Sequence, residues 1–176
     1  RGKETFVGWH TIPLRHGMTT GELMRMLVGE RGLQVDAKVI AVTGWSRRDT
    51  FDRTGLLWVN PSPNMRSLTE AMLYPGIGLL EGTNLSEGRG TTTPFEVWGA
   101  PFIDPYQILP VLAPRDLQGC VLRPVEFVPT FQKFCGKTCR GLFVHVTDPA
   151  TYRPYRTTLA FLRAVHELWP KESAWT

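Results

Sequence analysis

At 176 residues the chain has room for one domain, or one domain and part of a second. Its 42% hydrophobic and 20% charged content excludes a disordered, collagen-like or coiled-coil protein. Twenty Lys and Arg against 16 Asp and Glu leave a net charge of only +4, and the basic residues are scattered rather than striped, which argues against a nucleic-acid-binding surface. There is no run of about 18 apolar residues for a transmembrane helix, and Arg1-Gly-Lys-Glu-Thr5 lacks an apolar stretch of signal-peptide length. A start on Arg points to a processed product or an excised segment.

In chain order, Thr19-Thr20-Gly21-Glu22 is a capping box, predicting a helix to about Glu30 with Leu23, Leu27 and the Met24/Val28 pair on its apolar face. Lys38 to Thr43 (KVIAVT) is a short β-branched run with the character of a buried strand. A loop-rich stretch follows, through Trp45-Ser-Arg-Arg48 and Trp58-Val-Asn-Pro-Ser-Pro-Asn64, and a domain seam is expected between residues 44 and 60. Ser67-Leu-Thr-Glu70 is a second capping box, for a short helix toward Leu73, after which Gly76 to Leu80 is expected as a strand. Further strands are predicted at Phe95–Trp98, Cys120–Val128 and Gly141–Val146, with Pro124 marking an edge or a bulge. A short helix is predicted over Pro105–Leu112, and an amphipathic helix over Thr158–Trp169 stopped by Pro170. The order reads as mixed α/β.

Three cysteines are too few for a disulfide framework, and Cys135 and Cys139 form a C-x3-C without the spacing of a zinc knuckle. Two ordinary half-buried thiols are expected there, with a disulfide across the Gly136 turn in an oxidising compartment as the alternative. No phosphate loop and no Gly-x-Ser-x-Gly elbow is present. His10, His145 and His166 have no visible partner in the sequence, and no histidine-based metal set is credible.

The segment richest in chemistry is Glu81-Gly-Thr-Asn-Leu-Ser-Glu-Gly-Arg-Gly-Thr-Thr-Thr93, expected to link two strands. Its glycines permit positive φ and close approach to a ligand. Arg89 suits a carboxylate through its bidentate fork, while Glu81, Asn84 and Glu87 suit sugar hydroxyls. The competing interpretation is a solvated loop in which Glu and Arg pair with each other. A second polar cluster, Arg15-His16-Gly17, precedes the first helix, where His16 tends to stay neutral. Carboxylate chemistry of the glycosidase type is what remains, although the spacing of Glu81 and Glu87 cannot separate a retaining pair, an inverting pair or two binding residues.

Four ordered blocks then carry a resemblance: Phe6-Val-Gly8 with Ile12-Pro-Leu-Arg-His-Gly-Met-Thr-Thr-Gly-Glu-Leu23; Trp58-Val-Asn-Pro-Ser-Pro-Asn-Met65; Tyr74-Pro-Gly76 leading into Glu81–Thr92; and Pro94-Phe-Glu96 with Gly99-Ala-Pro-Phe-Ile-Asp104. Phe127-x-Pro-Thr-Phe131, Cys139-Arg-Gly141 and His145-Val-Thr-Asp148 extend it over essentially the whole chain. Together they resemble the bacterial exo-β-N-acetylmuramidase family, formerly a domain of unknown function. The resemblance implies the tail of a Rossmann-like domain (residues 1–50) followed by a smaller mixed α/β domain (residues 51–176), with a saccharide site in the cleft between them.

It further implies release of N-acetylmuramic acid from non-reducing ends of peptidoglycan fragments, outside the cytoplasm, without metal or organic cofactor. Family members carry in their first half a Pro-Glu-His-Gly motif whose Glu is the favoured catalytic acid. That tetrapeptide is absent here, so the fragment alone is expected to be inactive and to supply one wall of the cleft. Motif positions carried over are Arg15, His16, Glu22, Asn64, Glu81, Asn84, Glu87 and Arg89. Glu81 and Glu87 stand as the second carboxylate or hydroxyl ligands. Arg89, or Arg15, stands as ligand of the lactyl carboxylate, Asn84 as ligand of the N-acetyl group or a ring hydroxyl, and His16 and Asn64 as further sugar contacts. The alternative is a non-catalytic glycan-binding module on the same scaffold. Apolar surface exposed by the missing first half would invite homodimerisation.

Overall fold

The computed structural model describes residues 8–175, which fall into two compact units, Arg1–Leu56 and Leu57–Thr176. The first unit is built around the helix Thr20–Arg31 (α1). Its capping box forms as the sequence requires: the Glu22 amide donates to Thr19 Oγ1 (3.2 Å) and the Thr19 amide donates to Glu22 Oε2 (2.7 Å). Gly32, at φ 59°, closes the other end, with the Leu33 amide reaching back to the Val28 carbonyl at 3.1 Å. Glu22 is also the clamp for a later loop, receiving Arg47 Nη1 at 2.8 Å and Nη2 at 2.7 Å. That guanidinium, helped by the Thr19 amide, lowers the Glu22 carboxyl to about 2. Among the described residues of this unit none is buried, so α1 has no core to lean on.

The expected strand over Lys38–Thr43 does not form. The segment has no strand pairing among the described residues, with Ile40 86% and Val42 77% exposed. Valine and isoleucine favour strands because a pleated, half-buried surface suits them, and such a surface needs a hydrogen-bonded neighbour that this unit lacks among its described residues. Val39 is the one half-buried residue of the run. A Cβ added at Gly21 would stand 2.7 Å from its Cγ1, so Gly21 is what lets the segment pass over α1.

The second unit is mixed α/β. Its elements are Leu68–Ile77 (α2), Val97–Ala100 (β1), Pro105–Ile108 (α3), Cys120–Phe127 (β2), Cys139–Val146 (β3) and Pro154–Leu168 (α4). The three strands form an antiparallel sheet in the order β1-β3-β2, with Val97 opposite Phe143 and Cys120 opposite Val146. Pro124 lies in β2 on the outside of this sheet, where its missing N–H is tolerated. Gly99 and Gly141 face each other across β1 and β3, and a Cβ on Gly141 would collide with the Trp98 carbonyl, so these backbones approach only because both residues are glycine.

The core lies where α2 and α4 cover the sheet, with Trp98 edge-on to Phe161 at 5.5 Å. Leu73, Ile77 and Leu80 are fully buried at i, i+4 and i+7, each contributing about 1.5–3 kcal/mol of transfer free energy. The strand expected over Gly76–Leu80 is instead the end of α2 and the 3-10 helix Gly78–Gly82. The helical stripe outweighs the Pro75-Gly76 pair, which on its face marks a helix stop. Gly76 has a second use: a Cβ there would lie 2.3 Å from the Pro154 carbonyl oxygen, so α2 and α4 touch backbone to backbone. α4 begins at Pro154, four residues earlier than its apolar periodicity suggests, because proline fits the first turn.

Candidate functional site

The Glu81–Thr93 segment leaves a 3-10 helix rather than a strand, and it is not a solvated loop. Leu85, Ser86, Glu87, Gly88 and Gly90 are buried. Ser86 and Gly99 exchange both backbone hydrogen bonds (2.8 and 3.0 Å), which lays the segment along β1, and the Phe95 amide donates to the Glu87 carbonyl at 2.7 Å. From the other side Thr130 gives its amide (2.9 Å) and hydroxyl (2.8 Å) to the Gly90 carbonyl. Gly90 sits at φ 83°, and a Cβ on it would stand 2.8 Å from the backbone of Phe131. Glycine is therefore required twice over at this position, for φ and for space.

This pinning brings together a charge cluster. Arg89 Nη2 meets Glu81 Oε1 at 2.5 Å and Arg89 Nε meets Glu87 Oε1 at 3.2 Å. The guanidinium lies over the Phe95 ring at 4.9 Å, and Phe95 packs edge-on to Tyr74 at 5.1 Å. Phe95 holds φ 67°, an uncommon conformation for a side-chain-bearing residue, and that turn sets its ring under Arg89. Glu87 is 3% exposed and its other oxygen is 3.2 Å from Lys133 Nζ. Glu and Arg do pair with each other, as one interpretation of the sequence expects, but on a rigid floor.

Lys133 was not legible as a site residue. Its ammonium also donates to the carbonyls of Leu80 (2.7 Å), Leu85 (3.0 Å) and Glu81 (3.3 Å), tying the first part of the segment to one point. The available signal was only its place two residues after the Phe127–Phe131 block. Glu96, in the Pro94-Phe-Glu96 block, is the other omission: burial, with the neighbouring Glu70 carboxylate, pushes its carboxyl up against the pull of Arg66. Glu70 itself is fully buried and satisfied by the Arg66 side chain (2.7 and 3.1 Å) and the amide of Ser67 (2.9 Å).

The remaining sequence candidates fall elsewhere. Asn84 does not join the Arg89 cluster. Its side chain clasps the end of the chain, Nδ2 donating to the Glu172 carbonyl at 2.6 Å and Oδ1 accepting from the Ala174 amide at 2.9 Å. Asn64 is half-buried in the turn bridged by Ser62 and Met65, its amide 3.4 Å from Ser62 Oγ. Arg15 and His16 belong to the first unit. Arg15 is exposed, and His16 Nδ1 accepts from the Met18 amide at 3.0 Å, so a neutral ring carries its proton on Nε2. Cys120, Cys135 and Cys139 are all free thiols, and burial pushes Cys139 up to about 11. Among the described residues no three His, Cys, Asp or Glu side chains converge as metal ligands, and no helix is long and apolar enough to cross a membrane.

The arrangement offers an exposed carboxylate (Glu81) and the outer edge of a fixed guanidinium, with Glu87 and Lys133 beneath. Comparison with known proteins gives it a context. Over 168 residues the chain is 42% identical to the peptidoglycan β-N-acetylmuramidase NamZ of Bacillus subtilis (strain 168), matching across 96% of its own length and 41% of that protein. Two crystal structures of DUF1343 family proteins from Bacteroides fragilis NCTC 9343 resemble it. One superposes with TM-score 0.85 at 29% identity over 94% of this chain and 44% of that one; the other does so with TM-score 0.65 at 27% identity over 96% and 45%. The chain thus spans less than half the length of each of these relatives. Residues 1–69 match the N-terminal part and residues 72–176 the C-terminal part described for exo-β-N-acetylmuramidase NamZ, and the chain belongs to that family.

Proposed function

We propose that this chain is part of a glycoside hydrolase that releases N-acetylmuramic acid from the non-reducing ends of peptidoglycan fragments, and that it supplies one wall of the saccharide-binding cleft. The observation that carries this is the Arg89 guanidinium fixed over Phe95 between Glu81 and Glu87, in a chain 42% identical to a peptidoglycan β-N-acetylmuramidase. N-acetylmuramic acid differs from N-acetylglucosamine by a lactyl carboxylate, and a preorganised guanidinium with an accessible edge is the group that recognises such an anion. Glu81, the exposed carboxylate, takes ring hydroxyls or serves as the second carboxylate of the reaction. Glu87, buried on two cations, holds Arg89 in place rather than meeting substrate. Glycoside hydrolysis needs an acid for the leaving oxygen, which in this reading lies upstream of the chain. Residues 1–50 then close a Rossmann-like domain and residues 51–176 form the second domain, and the enzyme works outside the cytoplasm.

The test is release of N-acetylmuramic acid from a chromogenic β-muramide, comparing the 176-residue chain with one joined to an upstream half that carries Pro-Glu-His-Gly. Turnover confined to the joined protein is expected. In that protein Arg89→Ala should raise KM for the muramide by about tenfold, the worth of one charge-assisted hydrogen bond, and leave KM for the corresponding glucosaminide unchanged. An unchanged muramide KM would remove Arg89 from substrate recognition.

A further inference from the structure

The outer face of α4 carries two concavities lined by none of Glu81, Glu87 or Arg89. One, of about 550 Å³, is basic: Arg153, Arg156 and Arg163 surround Leu159 and Tyr155, and the carboxylate lining it, Asp116, is buried. The other, of about 360 Å³, is mainly apolar, formed by Leu159, Leu162 and Val165 against Trp175 and the strap that Asn84 clasps. Leu159 and Arg163 line both, so the two concavities adjoin across these side chains and form a groove with a cationic half and an apolar half.

The guanidinium groups of the basic half are under-used. Arg153 is fixed, giving Nη1 to the carbonyls of Ala150 (2.9 Å) and Tyr152 (3.0 Å), and its charge is shared with the exposed Asp148 carboxylate, so the free charge of this half comes from Arg156 and Arg163. Arg163 has only a long contact to Glu167 at 3.8 Å between two exposed side chains. Arg156 is exposed and has no ion pair with a described residue. Arg156 and Arg163 are about 10 Å apart along the helix at about 1.5 Å per residue, so one small anion cannot serve both. Leu159, 45% exposed, and Tyr155, 54% exposed, place apolar surface between and beside the charges.

We propose that this groove is a binding site for a short acidic peptide segment whose carboxylates meet Arg156 and Arg163 and whose following apolar residue enters the half lined by Leu162, Val165 and Trp175. Charge complementarity selects carboxylates in the first half. The adjoining apolar cleft selects a peptide over a polyphosphate or an acidic polysaccharide, which have nothing to place there. The site is separate from the saccharide wall and does not depend on the proposed hydrolase activity.

The probe is fluorescein-labelled Glu-Glu-Ala-Leu, titrated against the full 176-residue chain by anisotropy, with Lys-Lys-Ala-Leu and sodium tripolyphosphate as controls. Saturable binding of the acidic peptide is expected, weakened about tenfold or more by Arg156→Glu with Arg163→Glu, and severalfold by Leu159→Ser. These three side chains are exposed, so far-UV circular dichroism should stay native; Arg156→Gln provides a milder variant should the double reversal perturb folding. Tripolyphosphate should not displace the peptide at equal concentration. Absence of saturable binding, equal binding by the arginine variants, or displacement by tripolyphosphate together with indifference to Leu159→Ser would overturn the proposal, the last by showing a general polyanion site.

Discussion

Each oxygen of Glu87 faces a cation, and its 3% exposure means that water cannot replace either one. Lys133→Met keeps the aliphatic stem but takes the ammonium away from four acceptors, three of them backbone carbonyls, of which that of Leu80 keeps the Thr83 amide and hydroxyl as donors. A loss of about 2–3 kcal/mol in chemical denaturation is expected, since removing one partner from a buried ion pair costs more than the pair contributes. Lys133→Arg should recover only part of it, because a planar fork cannot point at carbonyls in three directions. Glu96 gives a pH prediction. Its carboxyl titrates above the ordinary 4.5 because burial and Glu70 disfavour its charge. The folded state therefore holds that proton more tightly than the unfolded chain does. This contribution to stability is complete below pH 4.5 and lost as pH rises through the raised value. Thermal melts across that window should fall with pH for this group, and Glu96→Gln should flatten that component. A Glu96→Gln profile that parallels the parent at every pH would place the dependence elsewhere. Glu22 has the opposite sign: held down to about 2 by Arg47, it supports the first unit above pH 4.5 and gives up that support as pH falls toward 2.

At the scale of elements, the helix α2 is set by Ser67 at one end and by Gly76 against α4 near the other. Gly76→Ala should destabilise the second unit by about 1–3 kcal/mol or more, although alanine is the better helix former, because the intruding methyl meets the Pro154 backbone rather than a yielding side chain. A denaturant midpoint equal to or above the parent's would show that α2 and α4 can separate at no cost. The same element shows what was legible. Both capping boxes, at Thr19–Glu22 and Ser67–Glu70, form as spelled, since a cap depends on four consecutive residues and nothing else. Pro124 likewise marks an outer strand unaided. Gly76–Leu80 reads as a strand in sequence because five apolar or glycine residues carry no period of their own, and only their phase with Leu73 makes them helical. The candidate site was half legible. Glu81, Glu87 and Arg89 lie within nine residues and do assemble, whereas Phe95 joins through a local turn at positive φ, Lys133 enters from a distant segment, and Asn84 is drawn off by residues 88 and 90 positions later. Spacing along a chain says nothing about such partners.

For the whole molecule, the contrast between the two units decides what can be stable alone. The second has a continuous core from Leu73 to Val165, while the first has no buried residue among those described and leaves Ile40, Val42 and Leu33 at half exposure or more. A helix of 12 residues with good caps is marginal in water without packing, so capping and the Glu22–Arg47 clamp must hold α1. Native-state hydrogen exchange should therefore split the chain. Amides of β2, β3 and α4 should exchange only through global unfolding of their unit, and those of α1 and residues 38–43 many-fold faster. If residues 1–50 close a Rossmann-like domain, joining the upstream half should change this pattern in one place above all. The β-branched run Lys38–Thr43 would gain a hydrogen-bonded neighbour on its now unpaired backbone, and its amides should become protected to the level of a central strand. Protection confined to α1, with residues 38–43 still exchanging freely, would mean that the run is a surface segment in the larger protein as well, and the Rossmann-like assignment would fall while the saccharide wall in the second unit stood.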